Sequence, residues 1–353
     1  MSRLRARALG IPLSGTPGLH NAITDVPGVR VGHTTLIRGD GALVVGEGPV
    51  RTGVTAILPH ADADRPTPVW AGMHSFNGAG ELTGAHLVAE YGWFLGPVCL
   101  TGTHSVGVVH DASLRWFHRR FGSAVAPDMW HLPIVGETWD GGMNDSYGHH
   151  VRAEHVIAAI DGAAAGPVAE GAVGSGTGMT CYGFKGGIGT ASRLVETADR
   201  QWTVGALVQA NFGRRGELRV LGRSYPETLA PPTPDGSIIG IVGTDAPLLP
   251  HQLQRVARRA VLGMARTGSA GHNGSGDIFL AFSVANPLPL GTPRGVTPID
   301  HLPNGRLDPI FAATADAIEE AILNALLMAE TMVGRDGHRA EAIDPATVAA
   351  LFR

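Results

Sequence analysis

The sequence changes character abruptly at residue 237, and this boundary limits the possible folds of the chain more than any other feature. Four prolines lie at positions 226, 231, 232 and 234. Proline lacks a backbone N–H and has a fixed φ, so this stretch cannot continue a helix or a central strand. The apolar run SIIGIVG at 237–243 follows and has the length of a buried strand. The sequence therefore predicts an exposed irregular loop over 214–235 that leads into a buried strand beginning at Ser237.

The rest of the chain mixes strand patterns with helix patterns. Short apolar or alternating runs predict strands at 53–58, 98–101, 205–210 and 278–284, and a hairpin or a pair of short strands within 23–33. Apolar residues at steps of three and four predict helices over about 80–91, 251–267 and 309–333. Because strands and helices do not alternate regularly, we expect an α+β layered fold and not a doubly wound sheet.

Composition narrows the possible partners and locations. Fifty glycines are spread over 353 residues without a Gly-X-Y period, which excludes collagen and indicates tight turns and close backbone approaches. A net charge of −4 offers no basic surface for nucleic acid. No run approaches the roughly eighteen apolar residues that span a membrane, and the first fifteen residues lack the apolar stretch of a secretion signal. Cys99 and Cys181, far apart, predict neither a disulfide framework nor a zinc site. We therefore expect a cytoplasmic protein.

The pair formed by Gly236 and Ser237 has the residue types that self-cleavage needs. Attack of the Ser237 hydroxyl on the Gly236 carbonyl would give an ester, which water hydrolyses to leave a chain that begins at Ser237. The new α-amine has a reference pKa of about 7.7–8.0, so a fraction is neutral near pH 7 and can act as a base. Glycine before the cut tolerates a strained backbone. A Gly-Ser pair is also common in ordinary turns, so this pair alone leaves both interpretations open.

A second candidate constellation lies in the loop 272–277. Ser275 and Asp277 are two residues apart at a strand entrance, so their side chains can point to the same side of the chain. Ser275 could then relay a proton while Asp277 supplies negative charge. The alternative is an ordinary Asn-Gly turn in which Asp277 binds its own backbone.

Three other motifs fail in detail. The glycines of 174–187 around Lys185 do not have the spacing of a phosphate-binding loop. The segment 103–107 lacks the first glycine of a nucleophile elbow. The sixteen histidines show no H-E-x-x-H spacing, so we predict no metal site.

Several long segments together resemble the L-aminopeptidase/D-esterase and β-aminopeptidase family, also called the DmpA-like peptidases. Their order covers nearly the whole chain: ITDVPGVRVGH at 23–33, ETWDGGMND at 137–145, GSGTGMTCYGFKGGIGTASR at 174–193, LVQANFG at 207–213, DGSIIGIVGTDAPLLPHQL at 235–253 and NGSGDIFLAFSVAN at 273–286. The resemblance implies one structural domain over 1–353, folded as a four-layer α-β-β-α sandwich related to that of the ornithine acetyltransferases. It also implies autoproteolysis into an α chain, 1–236, and a β chain, 237–353, which assemble as a tetramer of processed heterodimers without metal or organic cofactor.

The resemblance also implies roles for individual residues. Ser237 matches the family nucleophile, Ser275 a second serine of the site, and Asp277 an acidic partner that is glutamate in some relatives. Asn211 matches an asparagine that binds the substrate carbonyl oxygen. Trp139 stands at the acyl pocket, where characterised relatives have tyrosine. The aspartate is one methylene shorter than glutamate, which puts its reach in question.

The expected function is release of N-terminal residues from short peptides, amides or esters, with L-amino acids, D-amino-acid esters and β-amino acids all open as substrates. Two alternatives remain. One is a self-cleaving acyltransferase of the ornithine-acetyltransferase type; its nucleophile is threonine, so the serine at 237 argues against it. The other is a non-catalytic relative that binds a small molecule.

Overall fold

The computed structural model describes residues 3–61, 64–122, 130–197, 200–226, 236–288 and 295–353. Its strands are Arg30–Arg38 (β1), Val50–Leu58 (β2), Val69–Gly78 (β3), Trp93–Phe94 (β4), Val98–Gly102 (β5), Ile134–Thr138 (β6), Thr180–Cys181 (β7), Phe184–Lys185 (β8), Gly187–Glu196 (β9), Gln201–Asn211 (β10), Arg219–Val220 (β11), Arg223–Ser224 (β12), Ser237–Thr244 (β13), Gly276–Ser283 (β14), Met332–Val333 (β15) and Arg339–Ala340 (β16). The α-helices are Ala85–Tyr91 (α1), Val106–Phe121 (α2), Ala153–Asp161 (α3), Pro250–Arg266 (α4), Asp308–Met328 (α5) and Pro345–Ala350 (α6).

Two sheets form the centre of the molecule. One has six strands in the order β4-β3-β14-β13-β10-β9, and the other has four in the order β1-β2-β5-β6. In the six-stranded sheet, β13 pairs with β14 in parallel and with β10 antiparallel. This sheet therefore combines strands from both sides of residue 236 and places β13 between two paired neighbours.

Three buried apolar clusters show how the layers stack. One joins the outer face of the six-stranded sheet to α4 and α5, for example through Val242, Leu253 and Ile318. A second lies between the two sheets, and a third joins the four-stranded sheet to α2 and α3. The order is helices, sheet, sheet, helices, which confirms the expected α+β four-layer sandwich. None of the helices in the part of the chain that the structure describes is long and apolar enough to cross a membrane.

Most predicted elements are present. The strands expected at 53–58, 98–101, 205–210, 237–243 and 278–284 correspond to β2, β5, β10, β13 and β14, and the helix expected at 251–267 corresponds to α4. Of the predicted loop over 214–235, residues 227–235 lie outside the described residues, whereas the earlier part contains β11 and β12.

One prediction of local structure was wrong, and two predicted helices are present as α1 and α5 with different bounds. The segment 23–33 is not a hairpin: it forms a short 3-10 helix, Ile23–Asp25, and then enters β1. The helix expected from residue 80 begins at Ala85, after the left-handed Gly84. The helix expected to reach 333 ends at Met328, where the Gly171 backbone packs against its last turn.

Glycines allow the layers to approach each other closely, as the composition indicated. A Cβ added to Gly189 in β9 would lie 1.9 Å from the Ala321 carbonyl oxygen of α5. Helix α5 therefore rests directly on the backbone of β9, and any side chain at position 189 would push the two apart.

We expect Gly189→Ala to lower the free energy of unfolding by about 1–3 kcal/mol, because overpacking a well-filled interface costs about this much. Urea unfolding followed by circular dichroism would measure the change. Gly305→Ala is the matched control, since no atom lies within 4 Å of a Cβ there. Equal stability of the two variants would contradict the proposed packing of α5 on β9.

Candidate active site

Three strand ends meet at one end of the six-stranded sheet. Strand β10 ends at Asn211, and β13 begins at Ser237, which is paired directly with Asn211. Strand β14 begins at Gly276, and the parallel register places Asp277 beside Ile238. This topology brings together the candidate residues at 211, 236, 237, 275 and 277, although they come from three separate parts of the sequence.

The backbone on both sides of the predicted cut is held by hydrogen bonds. The Ser237 side chain is buried, and its Oγ accepts a hydrogen bond from the Gly276 N–H at 3.0 Å. The Gly236 carbonyl oxygen accepts a hydrogen bond from the Ser275 hydroxyl. The Gly236 carbonyl, which is the group attacked in the predicted cleavage, is thus polarised by Ser275 and directly precedes Ser237.

Gly236 is required by close packing and not by backbone strain. Its φ does not lie in the left-handed region, so the strain proposed for the residue before the cut is not present there. A Cβ at this position would instead lie 1.8 Å from the Asn211 carbonyl oxygen. Only glycine lets the backbone at 236 pass this close to the end of β10.

Asp277 reaches its partners despite its short side chain. Its Oδ1 lies 2.6 Å from Ser275 Oγ, and its Oδ2 accepts a hydrogen bond from Asn77 Nδ2 at 2.9 Å. Burial raises the pKa of the Asp277 carboxyl, while the bonds to Ser275 and Asn77 act in the opposite direction. The aspartate side chain at 277 is therefore long enough to contact Ser275.

The Ser275 hydroxyl has one proton but two acceptors within bonding distance, the Gly236 carbonyl and Asp277. Both contacts become hydrogen bonds when the Asp277 carboxyl is protonated and donates to Ser275 Oγ. Burial of the Asp277 carboxyl acts toward this protonated form, whereas the hydrogen bonds from Ser275 and Asn77 act toward the carboxylate. In the protonated form, the hydrogen bond from Asp277 makes the Ser275 hydroxyl a stronger donor to the Gly236 carbonyl.

Asn211 is held at both ends of its side-chain amide. Its Oδ1 accepts a hydrogen bond from the Thr180 N–H at 2.8 Å, and its Nδ2 donates to the Trp139 carbonyl oxygen at 3.0 Å. Because a backbone N–H can only donate, the contact with Thr180 fixes which end of the amide is oxygen. Nδ2 carries a second hydrogen, which is the group that an incoming carbonyl oxygen needs.

Trp139 contacts Asn211 through its main chain. The tyrosine-to-tryptophan difference therefore leaves this contact unchanged. Trp139 is 41% exposed, and its indole lies over Gly141, where an added Cβ would be 2.5 Å from Cε2. Position 139 thus contributes a backbone acceptor to the site and, separately, a partly exposed aromatic surface.

Glu137 is a nearby acid that the sequence analysis did not select. Its side chain is buried, with Oε1 accepting from the Glu81 N–H at 2.9 Å and Oε2 accepting from the Thr103 hydroxyl. A Cβ built on Gly80 would lie 3.3 Å from Glu137 Oε1 and 3.2 Å from the Cα of Gly276, so the acid lies close to the Ser237 site. Burial raises the pKa of the Glu137 carboxyl.

A charged residue at the end of the apolar run at 134–136 was the available sequence signal for Glu137. Asn77 and the Gly276 N–H gave no such signal, because their positions depend on the pairing of β14 with β3.

The motifs rejected from the sequence have other roles here. Lys185 is fully buried, so it cannot reach a phosphate group in solvent. Segment 103–107 forms a 3-10 turn that leads into α2, and its Thr103 binds Glu137. Among the described residues, no group of three His, Cys, Asp or Glu side chains is arranged to hold a metal ion.

Comparison with known proteins gives consistent matches along the chain. A model of peptidase family S58 matches residues 21–340. The β-peptidyl aminopeptidase BapA of Sphingosinicella microcystinivorans is 49% identical over 368 residues, which cover 99% of this chain and 92% of the relative.

Solved structures agree with these matches. The L-aminopeptidase D-Ala-esterase/amidase of Ochrobactrum anthropi superposes with a TM-score of 0.94 at 46% identity, covering 99% of this chain and 98% of its own. A Burkholderia β-aminopeptidase superposes with a TM-score of 0.89 at 45% identity, with coverage of 99% and 98%.

The Ochrobactrum enzyme is described as a prototype of the serine aminopeptidases and as a variant of the Ntn-hydrolase fold. These matches support a peptidase and give no support to the acyltransferase or to a non-catalytic relative. The protein is a hydrolase that acts on peptide bonds, and the chain belongs to peptidase family S58.

Proposed function

We propose that the chain cleaves itself between Gly236 and Ser237 and then uses Ser237 as an N-terminal nucleophile that releases N-terminal residues from short peptides and amides. The observation that carries the proposal is the hydrogen bond from the Ser275 hydroxyl to the Gly236 carbonyl, directly before Ser237. A polarised carbonyl next to a hydroxyl is the arrangement that an N-to-O acyl shift requires.

In the cleavage step, Ser237 Oγ forms a bond to the Gly236 carbonyl carbon, and the C–N bond to the Ser237 nitrogen breaks. The proton of the hydroxyl passes to that nitrogen, which becomes the new α-amine. The negative charge that develops on the Gly236 oxygen is stabilised by the Ser275 hydroxyl, supported by Asp277. Water then hydrolyses the ester and releases Gly236 as a carboxylate.

In turnover, the freed α-amine takes the proton of the Ser237 hydroxyl as the oxygen attacks the substrate carbonyl carbon. The second hydrogen on Asn211 Nδ2 stabilises the developing oxyanion, a contribution worth about 10²–10³ in rate in other hydrolases. The leaving amine departs with the proton, and water hydrolyses the acyl ester. The departure of Gly236 also frees the Ser275 hydroxyl for contact with substrate.

Glu137 gives a reason for requiring a free amino terminus on the substrate. A buried carboxylate pairs well with an ammonium group, and such a pair returns the acid to its ionised form. Its two existing donors, the Glu81 N–H and the Thr103 hydroxyl, hold the carboxyl in place without neutralising its charge. We therefore assign Glu137 to the substrate ammonium group.

The proposed substrates include N-terminal β-amino acids. Two of the similar proteins, from Sphingosinicella microcystinivorans and Burkholderia, are named as a β-peptidyl aminopeptidase and a β-aminopeptidase, and both match over nearly the whole chain. The Ochrobactrum enzyme is named for L-amino-acid and D-Ala substrates, so these remain within the proposed range.

The proposed assembly is a tetramer of processed heterodimers, which light scattering of the purified protein would measure. The proposed location is the cytoplasm, which is compatible with the free, buried thiols of Cys99 and Cys181.

Mass spectrometry of the purified wild-type protein should give two chains, one beginning at residue 1 or 2 and the other at Ser237. Ser237→Ala should remain a single chain of 36.7 kDa. Ser275→Ala should slow cleavage by about 10²-fold, because the carbonyl loses its donor. The matched control is Ser283→Ala, a buried serine at the other end of β14, whose hydroxyl donates to the Ala246 carbonyl. An intact wild-type chain would refute the cleavage proposal.

Glu137→Gln should raise KM for amides with a free amine by at least about tenfold while kcat changes little, because the lost charge pair acts in the bound ground state as well as in the transition state. In wild type, KM should rise as the pH falls through the pKa of Glu137, which burial places above its usual 4.5. Glu154→Gln, an exposed acid on α3, is the control. An unchanged KM in Glu137→Gln would contradict the assignment of Glu137 to the substrate ammonium group but not the role of Ser237 as nucleophile.

A panel of p-nitroanilides of L-alanine, D-alanine and β-homoalanine, each with a free and an acetylated amine, tests the substrate class. We expect hydrolysis of the β-homoalanine anilide and at least about 10²-fold slower hydrolysis of the acetylated compounds. Turnover of the L-alanine compound alone would contradict the β-amino-acid proposal but not the aminopeptidase.

A further inference from the structure

Lys185 is a buried cation close to the site that the proposed mechanism does not use. Its side chain has no exposed surface. Its Nζ donates to three main-chain carbonyl oxygens, those of Gly176 at 3.2 Å, Met179 at 2.5 Å and Gly186 at 2.9 Å. The three hydrogens of the ammonium group are therefore all taken up by the backbone of the segment that carries Lys185.

An ammonium group in this position is costly to bury. The groups that accept hydrogen bonds from Nζ are neutral carbonyls, and burial lowers the pKa of the lysine to about 7. A methionine has a similar length and would fill the same space without this cost. The charge and its three donors must therefore act on the carbonyls that they contact.

The Met179 carbonyl connects Lys185 to the active site through a single peptide group. The carbonyl of the peptide unit between Met179 and Thr180 accepts from Lys185, and the N–H of the same unit donates to Asn211 Oδ1 at 2.8 Å. A peptide unit is planar, so a bond that fixes its carbonyl also fixes the direction of its N–H. Hydrogen bonds in series also polarise one another, and a cation on the carbonyl strengthens the N–H as a donor.

We propose that Lys185 is a positioning residue of the active site, which holds the side-chain amide of Asn211, through the peptide unit between Met179 and Thr180, in the orientation that binds the carbonyl oxygen of the substrate. The inference rests on the proposed function, because it requires Asn211 to be the oxyanion donor. It adds to the proposed mechanism the residue, Lys185, that orients the donor Asn211.

The fold of the surrounding hairpin has other supports. Strands β7 and β8 pair with each other, the Tyr182 N–H donates to the Phe212 carbonyl at 2.7 Å, and the Gly186 N–H donates to the Met179 carbonyl at 3.0 Å. These bonds do not involve the ammonium group. Because the Gly186 N–H still holds the Met179 carbonyl, removal of the charge should weaken the Thr180 N–H as a donor more than it changes the path of the chain.

A double-mutant cycle tests the inference. Lys185→Met, Asn211→Ala and the combined variant are purified, the cleaved fraction of each is measured, and kcat and KM are determined on one amide substrate. Loss of one oriented hydrogen bond corresponds to about a tenfold lower kcat for Lys185→Met, with KM within about twofold of wild type. Asn211→Ala should lower kcat by about 10²-fold or more. The combined variant should be no slower than Asn211→Ala, because the lysine acts through the asparagine.

Two controls separate positioning from general loosening. Cys181→Ala removes another buried side chain from the same hairpin and should leave kcat within about twofold of wild type, because the Met179 carbonyl keeps both of its donors, Lys185 Nζ and the Gly186 N–H. Lys185→Gln retains N–H donors without the charge, and its kcat should fall between those of wild type and Lys185→Met.

The outcomes are distinguishable. If Lys185→Met lowers kcat by the same factor with and without Asn211, the lysine acts independently and the inference is overturned while the proposed function stands. If Asn211→Ala leaves kcat unchanged, the oxyanion role of Asn211 is wrong and the proposed mechanism fails first. If neither lysine variant gives folded, cleaved protein, the role of Lys185 is structural and the inference is overturned.

Discussion

The pairing of Asn211 with Ser237 across the antiparallel ladder of β10 and β13 is the contact on which the geometry of the site depends. It places the amide at the end of one strand opposite the hydroxyl at the start of the next. The missing side chain at Gly236 allows the chain to turn into β13 against the Asn211 carbonyl. A shift of this ladder by one residue would turn every side chain of β13 to the other face and would move Ser237 away from the site. The position of the Ser237 hydroxyl therefore depends on the register of the ladder.

The parallel neighbour β14 completes the arrangement. Its first residue donates a hydrogen bond to Ser237, and the residues on either side of it, Ser275 and Asp277, contact each other. Since β13 is paired on both edges, a break of the chain before Ser237 would leave these ladders in place. The new amino terminus would thus stay where the cleavage step had left it, which is the condition for its use as a base.

Local sequence patterns predicted the elements that are apolar enough to be buried whatever surrounds them. The run beginning at Ser237 and the amphipathic pattern of α4 are of this kind. The hairpin predicted for 23–33 was wrong because contacts with distant residues override the alternating pattern of the segment. The Ile23 N–H donates to the Thr190 hydroxyl, and the Ile23 backbone packs against Gly205. Neither contact can be inferred from the residues of the segment itself.

The site was predictable to the extent that its residues belong to long, ordered segment matches, which selected Ser237, Ser275, Asp277 and Asn211 together. The contacts of Asn77 and Lys185 near these residues were not predictable, since they depend on strand pairing and on backbone carbonyls. Resemblance also suggested that the change to tryptophan at 139 would alter the site, whereas the bond to Asn211 uses its main chain.

That main-chain contact has a consequence for how enzymes of this kind diversify. A backbone carbonyl is supplied by every amino acid, so the residue at 139 can be exchanged without loss of the acceptor that steadies Asn211. The indole beside it, resting on Gly141, remains free to change in size and polarity. Substitutions at 139 can therefore vary a partly exposed surface beside the proposed site while the main-chain bond to Asn211 stays, which makes this position a natural first choice for laboratory evolution.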